Sequence, residues 1–114
     1  MTGHANKSDI SAYLTEVKEL VSNGKYDFVP RRKNMQSLAH HGLTLIDAKE
    51  EILGLVFENY YMGPKGDFDT DRPGDVWEFK KIINGTRFYI KLKITEENGE
   101  KVLKCLGFHE DEFA

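Results

Sequence analysis

The chain is poor in three things: cysteine, long hydrophobic runs and net positive charge. With Cys105 as its one cysteine, neither an internal disulfide nor a cysteine-based zinc centre is possible. No stretch approaches the roughly 18 consecutive apolar residues that a membrane helix requires. The opening residues Met1 to Lys7 lack the apolar core of a secretory signal, so the expected location is the cytoplasm. A formal net charge of −3 gives no general attraction for a nucleic-acid backbone, whose phosphates require lysine and arginine.

What is present fits one globular domain spanning residues 1–114, with 39% hydrophobic and 31% charged residues around a modest core. Charge is unevenly placed. Acids collect at Asp47, Glu50, Glu51, Glu58, Asp67, Asp69, Asp71 and Asp75, and again at Glu110, Asp111 and Glu112. Between residues 80 and 93 stand Lys80, Lys81, Arg87, Lys91 and Lys93 with no acid among them. A second basic group, Lys25, Arg31, Arg32 and Lys33, has only Asp27 against it. Such runs are usually solvated faces, but they also suit an anionic substrate.

Apolar spacing predicts a helix capped by Asp9, with Ile10, Tyr13, Leu14, Val17, Leu20 and Val21 on one stripe and Gly24 as its stop. Tyr26 to Val29 reads as an extended piece ended by Pro30. A short helix over Asn34–His41, closed by Gly42, would turn Met35, Leu38 and Ala39 inward. Thr44 and Asp47 mark a further helix start, running to about Leu55 and burying Ala48, Ile52 and Leu55 or Val56. Phe57 to Tyr61 suits a strand, and Met62 to Gly74 a loop.

The C-terminal half reads as a three-stranded antiparallel meander. Asn84-Gly85 between alternating runs is a strong two-residue hairpin signal, pairing Ile83 with Thr86, Lys80 with Tyr89, Glu78 with Lys91 and Trp77 with Leu92. Trp77, Phe79, Ile83, Phe88, Ile90, Leu92 and Ile94 then share a core face for the helices to cover, giving an α+β fold. Glu78, Lys80, Ile82, Arg87, Tyr89, Lys91 and Lys93 share the other face. A wet sheet surface with cross-strand Glu–Lys pairs is the ordinary explanation. The chemical alternative is a cradle for a phosphodiester. Metal-free RNA cleavage needs a base for the 2′-hydroxyl, an acid for the leaving 5′-oxygen, and cations for the transition-state charge. Tyr89, His109, Lys91 and Glu78 are the candidate catalytic groups, with Arg87, Lys93, Lys80 and Lys65 as candidate substrate-binding cations.

Several short motifs in this order resemble MqsR-type toxins of the RelE-like ribonuclease superfamily. They are Gly42-Leu43-x-x-x-Asp47, Ile52-Leu53-Gly54-Leu55, Tyr60-Tyr61, Trp77, Gly85-x-x-x-Tyr89-Ile90-Lys91-Leu92 and Gly107-Phe108-His109. The resemblance implies helices packed on one face of an antiparallel sheet. It also implies metal-independent cleavage of messenger RNA without a cofactor, and a cognate antitoxin protein as partner. Tyr89 stands where the family has its sheet tyrosine and Lys91 where it has the lysine two residues on. Three positions depart from the pattern. Met62 replaces a functional lysine, with Lys65 nearby; Glu78 replaces a glutamine; His109 replaces a lysine. The competing expectation is a non-catalytic protein-interaction module of the same fold.

His109 depends on one turn. A two-residue loop at Asn98-Gly99 would pair Glu97 with Glu100 and turn Leu103, Cys105, Gly107 and His109 to the core. A three-residue loop, Glu97-Asn98-Gly99, would instead bury Val102, Leu106 and Phe108 and set His109 on the polar face opposite Arg87. Each large buried apolar side chain contributes about 1.5–3 kcal/mol, which favours the three-residue loop and places His109 beside Tyr89.

Other features carry less. Asp67-x-Asp69-x-Asp71 and Glu78 have calcium-loop spacing, but Arg72 occupies the obligatory glycine position. His40 and His41 are adjacent, so they should diverge on a helix and make a poor metal pair; a role at a helix C-terminus next to Gly42 is expected. Trp77 could stack on a base, but its alternation assigns it to the core.

Overall fold

A computed structural model describes residues 5–67 and 73–112. Three helices, α1 (Lys7–Ser22), α2 (Arg32–His40) and α3 (Leu45–Leu53), accompany a five-stranded sheet. Its strands are β1 (Tyr26–Phe28), β2 (Tyr60–Lys65), β3 (Val76–Ile83), β4 (Thr86–Glu97) and β5 (Glu100–Glu110), in the order β1-β5-β4-β3-β2. The fold is α+β as expected, but the sheet has two strands more than the expected meander. β2 pairs antiparallel with β3, and β1 pairs parallel with β5, so that a short N-terminal strand closes one edge.

Local chemistry starts the helices. Asn6, and not Asp9, caps α1: its side chain accepts the Asp9 N–H at 2.8 Å. Thr44 and Asp47 form the expected reciprocal capping box, at 3.0 and 2.8 Å. Those bonds to Thr44 hold the Asp47 carboxyl below its usual value. α3 ends at Leu53 and buries Ala48 and Ile52; Leu55 just beyond is fully buried while Val56 is exposed. The expected strand at Phe57–Tyr61 is divided, because Phe57–Asn59 form a 3-10 turn and β2 begins at Tyr60. β2 then continues through Lys65, into what read as loop.

The β3–β4 hairpin has the expected register, Ile83↔Thr86 through Trp77↔Leu92. Asn84 and Gly85 both take positive φ, 50° and 83°, as a two-residue hairpin turn that matches strand twist requires. One sheet face packs against the helices: Ile10, Leu14, Val17 and Val21 of α1, Leu38 of α2 and Ile52 of α3 meet Phe79, Phe88, Ile90, Leu92, Leu103 and Phe108. Tyr13 stacks on Trp77 with centroids 4.1 Å apart, which places Trp77 in the core as its alternation indicated.

Two expectations fail here. α2 turns Asn34, Ser37 and Leu38 inward, leaving Met35 and Ala39 exposed. The β4–β5 turn has two residues, with Glu97 paired to Glu100 and Leu103 and Cys105 buried. Yet Phe108 is buried as well, because β5 slips by one residue between Cys105↔Leu92 and Gly107↔Lys91. Leu106 is the extra residue of this bulge. Asn34 fills the gap in the ladder: its amide nitrogen donates to the carbonyls of Leu106 (3.0 Å) and Val29 (3.1 Å), and its oxygen accepts the Phe108 N–H (2.9 Å). The bulge thus buries Leu103 and Cys105 of one set with Leu106 and Phe108 of the other, while Val102 stays half-buried.

Candidate active site

The strand register arranges the polar sheet face in rows. Met62, Glu78, Lys91 and Gly107 lie across one row, and Lys80, Tyr89 and His109 across the next. Above them lies a cleft of about 350 Å³, lined by Lys33, Tyr61, Met62, Lys65, Glu78, Lys80, Tyr89, His109, Asp111 and Glu112. A smaller cavity of about 160 Å³ adjoins it and includes Arg31, Lys91 and Leu106.

Tyr89 and His109 face each other directly across β4 and β5, their rings 5.2 Å apart. Gly107 makes room for this pair: a Cβ there would lie 3.4 Å from the Tyr89 ring and 3.1 Å from the Lys91 Cβ. Burial first, then the charge and hydrogen bond of Glu78, push the Tyr89 hydroxyl far above the ordinary tyrosine range. It therefore keeps its proton at neutral pH and acts as a donor. His109 Nδ1 lies 2.9 Å from the Glu110 carbonyl oxygen. A carbonyl only accepts, so Nδ1 carries the proton and Nε2 of the neutral ring holds the lone pair.

Glu78 is buried and pairs with the Lys65 ammonium. Lys65 also reaches the Met62 sulfur at 3.7 Å, so its charge sits beside Met62 although the lysine is three residues further along β2. Lys80 contacts Asp111 at 2.9 Å and lies 3.9 Å over the Tyr61 ring. Lys33 pairs with Glu112, whose carboxyl this holds below its usual value.

Of the expected residues, Tyr89, His109, Glu78, Lys80 and Lys65 thus share the cleft, and Lys91 lines the adjoining cavity. Arg87 and Lys93 do not line either. Arg87 is exposed at the start of β4, where its carbonyl accepts the Asp111 N–H at 2.9 Å. Lys93 is buried and bound to Asp67 at 2.8 Å. His109 faces Tyr89 and not Arg87, the result of the two-residue turn followed by the bulge. Asp69, Asp71 and Arg72 of the calcium-like spacing lie outside the described residues.

Sequence reasoning missed Lys33, Tyr61, Asp111 and Glu112. Lys33 stands in a noted basic run and the two acids in a noted acidic one, but nothing local connects residue 33 with residue 112. No model of a known protein family matches the chain, and no curated protein matches it in sequence. Among the described residues no helix is long and apolar enough to cross a membrane.

Proposed function

We propose that this chain is a metal-independent endoribonuclease toxin of the RelE-like, MqsR type. It cleaves messenger RNA in the cytoplasm and is neutralised by a cognate antitoxin protein. The supporting observation is the cleft that gathers Tyr89, His109 and Glu78 with Lys65, Lys80 and Lys33 on one sheet face.

In this reading His109 Nε2 takes the proton of an RNA 2′-hydroxyl, and the freed oxygen attacks the adjacent phosphorus. The P–O5′ bond breaks to leave a 2′,3′-cyclic phosphate, and the Tyr89 hydroxyl, held protonated, gives its proton to the departing 5′-oxygen. Exchange with solvent then takes the proton from His109 and restores that of Tyr89. Glu78 orients Tyr89 and Lys65, and Lys91 and Lys80 offset the growing negative charge. The deciding experiment is cleavage of a defined RNA by the purified protein at 25 °C in the presence of a chelator. Cyclic-phosphate ends support the reading, and intact RNA at stoichiometric protein rejects it.

One observation favours a second reading. Lys65, Lys80 and Lys33 already lie against Glu78, Asp111 and Glu112, so the cleft is close to charge balance. A cleft of mixed charge suits a protein segment, as in a non-catalytic interaction module. Expression of the gene without its neighbours separates the two: growth arrest with loss of messenger RNA belongs to the ribonuclease alone.

A further inference from the structure

We propose that His40, His41 and Glu110 form a zinc-binding site that braces the end of β5. One ligand atom from each side chain lies within 4.8 Å of the other two. Two imidazoles and a carboxylate are a donor set that suits zinc, with water completing four-coordination. Tetrahedral ligands on zinc bonds of about 2.0–2.1 Å stand roughly 3.3 Å apart. Closure therefore brings no two donors together by more than about 1.5 Å, His41 and Glu110 are already in contact, and His40 and Glu110 are exposed.

The adjacent histidines do not diverge as helical geometry suggested. α2 ends at His40, and His41 is its C-cap, with ψ near 7° and outside helical values. The two rings meet edge to face with centroids 5.0 Å apart, and His41 Nε2 contacts a Glu110 carboxylate oxygen. The His41 ring rests against fully buried Phe88 at 5.1 Å, which gives the site one apolar wall. Ser37 fixes both backbones: its carbonyl accepts the His41 N–H at 3.1 Å and its hydroxyl accepts the Glu110 N–H at 3.1 Å. A cation here also meets the negative end of the α2 dipole. A simple ion pair with Glu110 requires one imidazole; the second, within reach of both partners, makes three converging donors.

The site lies outside the cleft, but Glu110 directly follows His109 and precedes Asp111 and Glu112, all of which line it. Zinc would tie this segment to α2. The inference does not depend on the chain being a ribonuclease, and its test reads metal alone.

Tag-free protein is equilibrated with zinc and bound metal is measured, with cobalt substituted to record its absorption spectrum. One equivalent of zinc, an intense tetrahedral cobalt spectrum and movement of the His40 and His41 imidazole resonances, with those of His109 unmoved, are expected. At about 100-fold excess over Kd, zinc should raise Tm by roughly 10 °C. His40→Ala and Glu110→Gln should each lose the Tm shift while melting close to wild type without metal. Absence of bound zinc in the wild type, or one equivalent retained by the double variant, overturns the proposal.

Discussion

Asn34 of α2 receives the backbone N–H of Phe108 at 2.9 Å, across 74 positions of sequence. With the bond it donates to the Leu106 carbonyl, this side chain satisfies the backbone where β5 bulges, and so sets the register that brings His109 to Tyr89; its second donated bond ties the Val29 carbonyl beyond β1. Fold and candidate chemistry share this one contact.

Removing it should damage both. Asn34 is 1% exposed, and Asn34→Ala strands buried backbone groups that each cost about 1–3 kcal/mol. Urea unfolding should report a total loss of about 3 kcal/mol, and RNA cleavage should fall even at temperatures where the variant is folded. A loss within about 0.5 kcal/mol means that water or a relaxed strand replaces the amide.

Tyr89→Phe and Lys91→Ala should each reduce RNA cleavage by roughly 10²–10⁴-fold, the range of a single acid–base or electrostatic role. Neither side chain belongs to the hydrophobic core, so melting should shift by only a few degrees. Wild-type cleavage in both variants excludes the site.

His109 as base requires an imidazole nitrogen at Nε2. His109→Gln should therefore cleave RNA roughly 10²–10⁴-fold more slowly, the range of one acid–base role, while binding RNA as wild type does. Wild-type cleavage by this variant removes His109 from the mechanism.

RNA binding should weaken steeply with salt. For about four phosphate contacts to single-stranded RNA, affinity should drop roughly 50-fold between 50 and 200 mM salt. A flat response, measured by fluorescence anisotropy, favours the protein-interaction reading.

Stability should fall in alkali. Burial raises the Cys105 thiol and the Tyr13 hydroxyl above their ordinary values of 9.0 and 10.0. The folded state keeps these protons after the unfolded chain has released them. Their contribution is thus complete below about pH 9 and is lost as pH rises, by up to about 1.4 kcal/mol per pH unit for each group. Cys105→Ala, though less stable at pH 7 from the lost thiol packing, should show a shallower decline between pH 9 and 10.

The sequence by itself determined the parts that local bonding controls. Asn84-Gly85 specified the β3–β4 register because a two-residue turn with positive φ at both positions leaves one pairing, and alternation then assigned Trp77, Phe79, Ile90 and Leu92 to the core. Thr44 and Asp47 specified the start of α3 because both partners lie within one turn. The tertiary structure decided β5. Asn98 and Gly99 carried the same two-residue signal, yet counting buried apolar groups favoured a longer turn, since periodicity assumes an unbroken strand. The bulge buries Leu103, Cys105 and Phe108 together, and it rests on an asparagine that α2 delivers from far along the chain. Lys93 was assigned to the substrate for a similar reason: alternation gives its face, but only the folded chain brings Asp67 over it. Spacing encodes which side of a strand a residue occupies; which partner meets it there depends on segments that sequence proximity does not join.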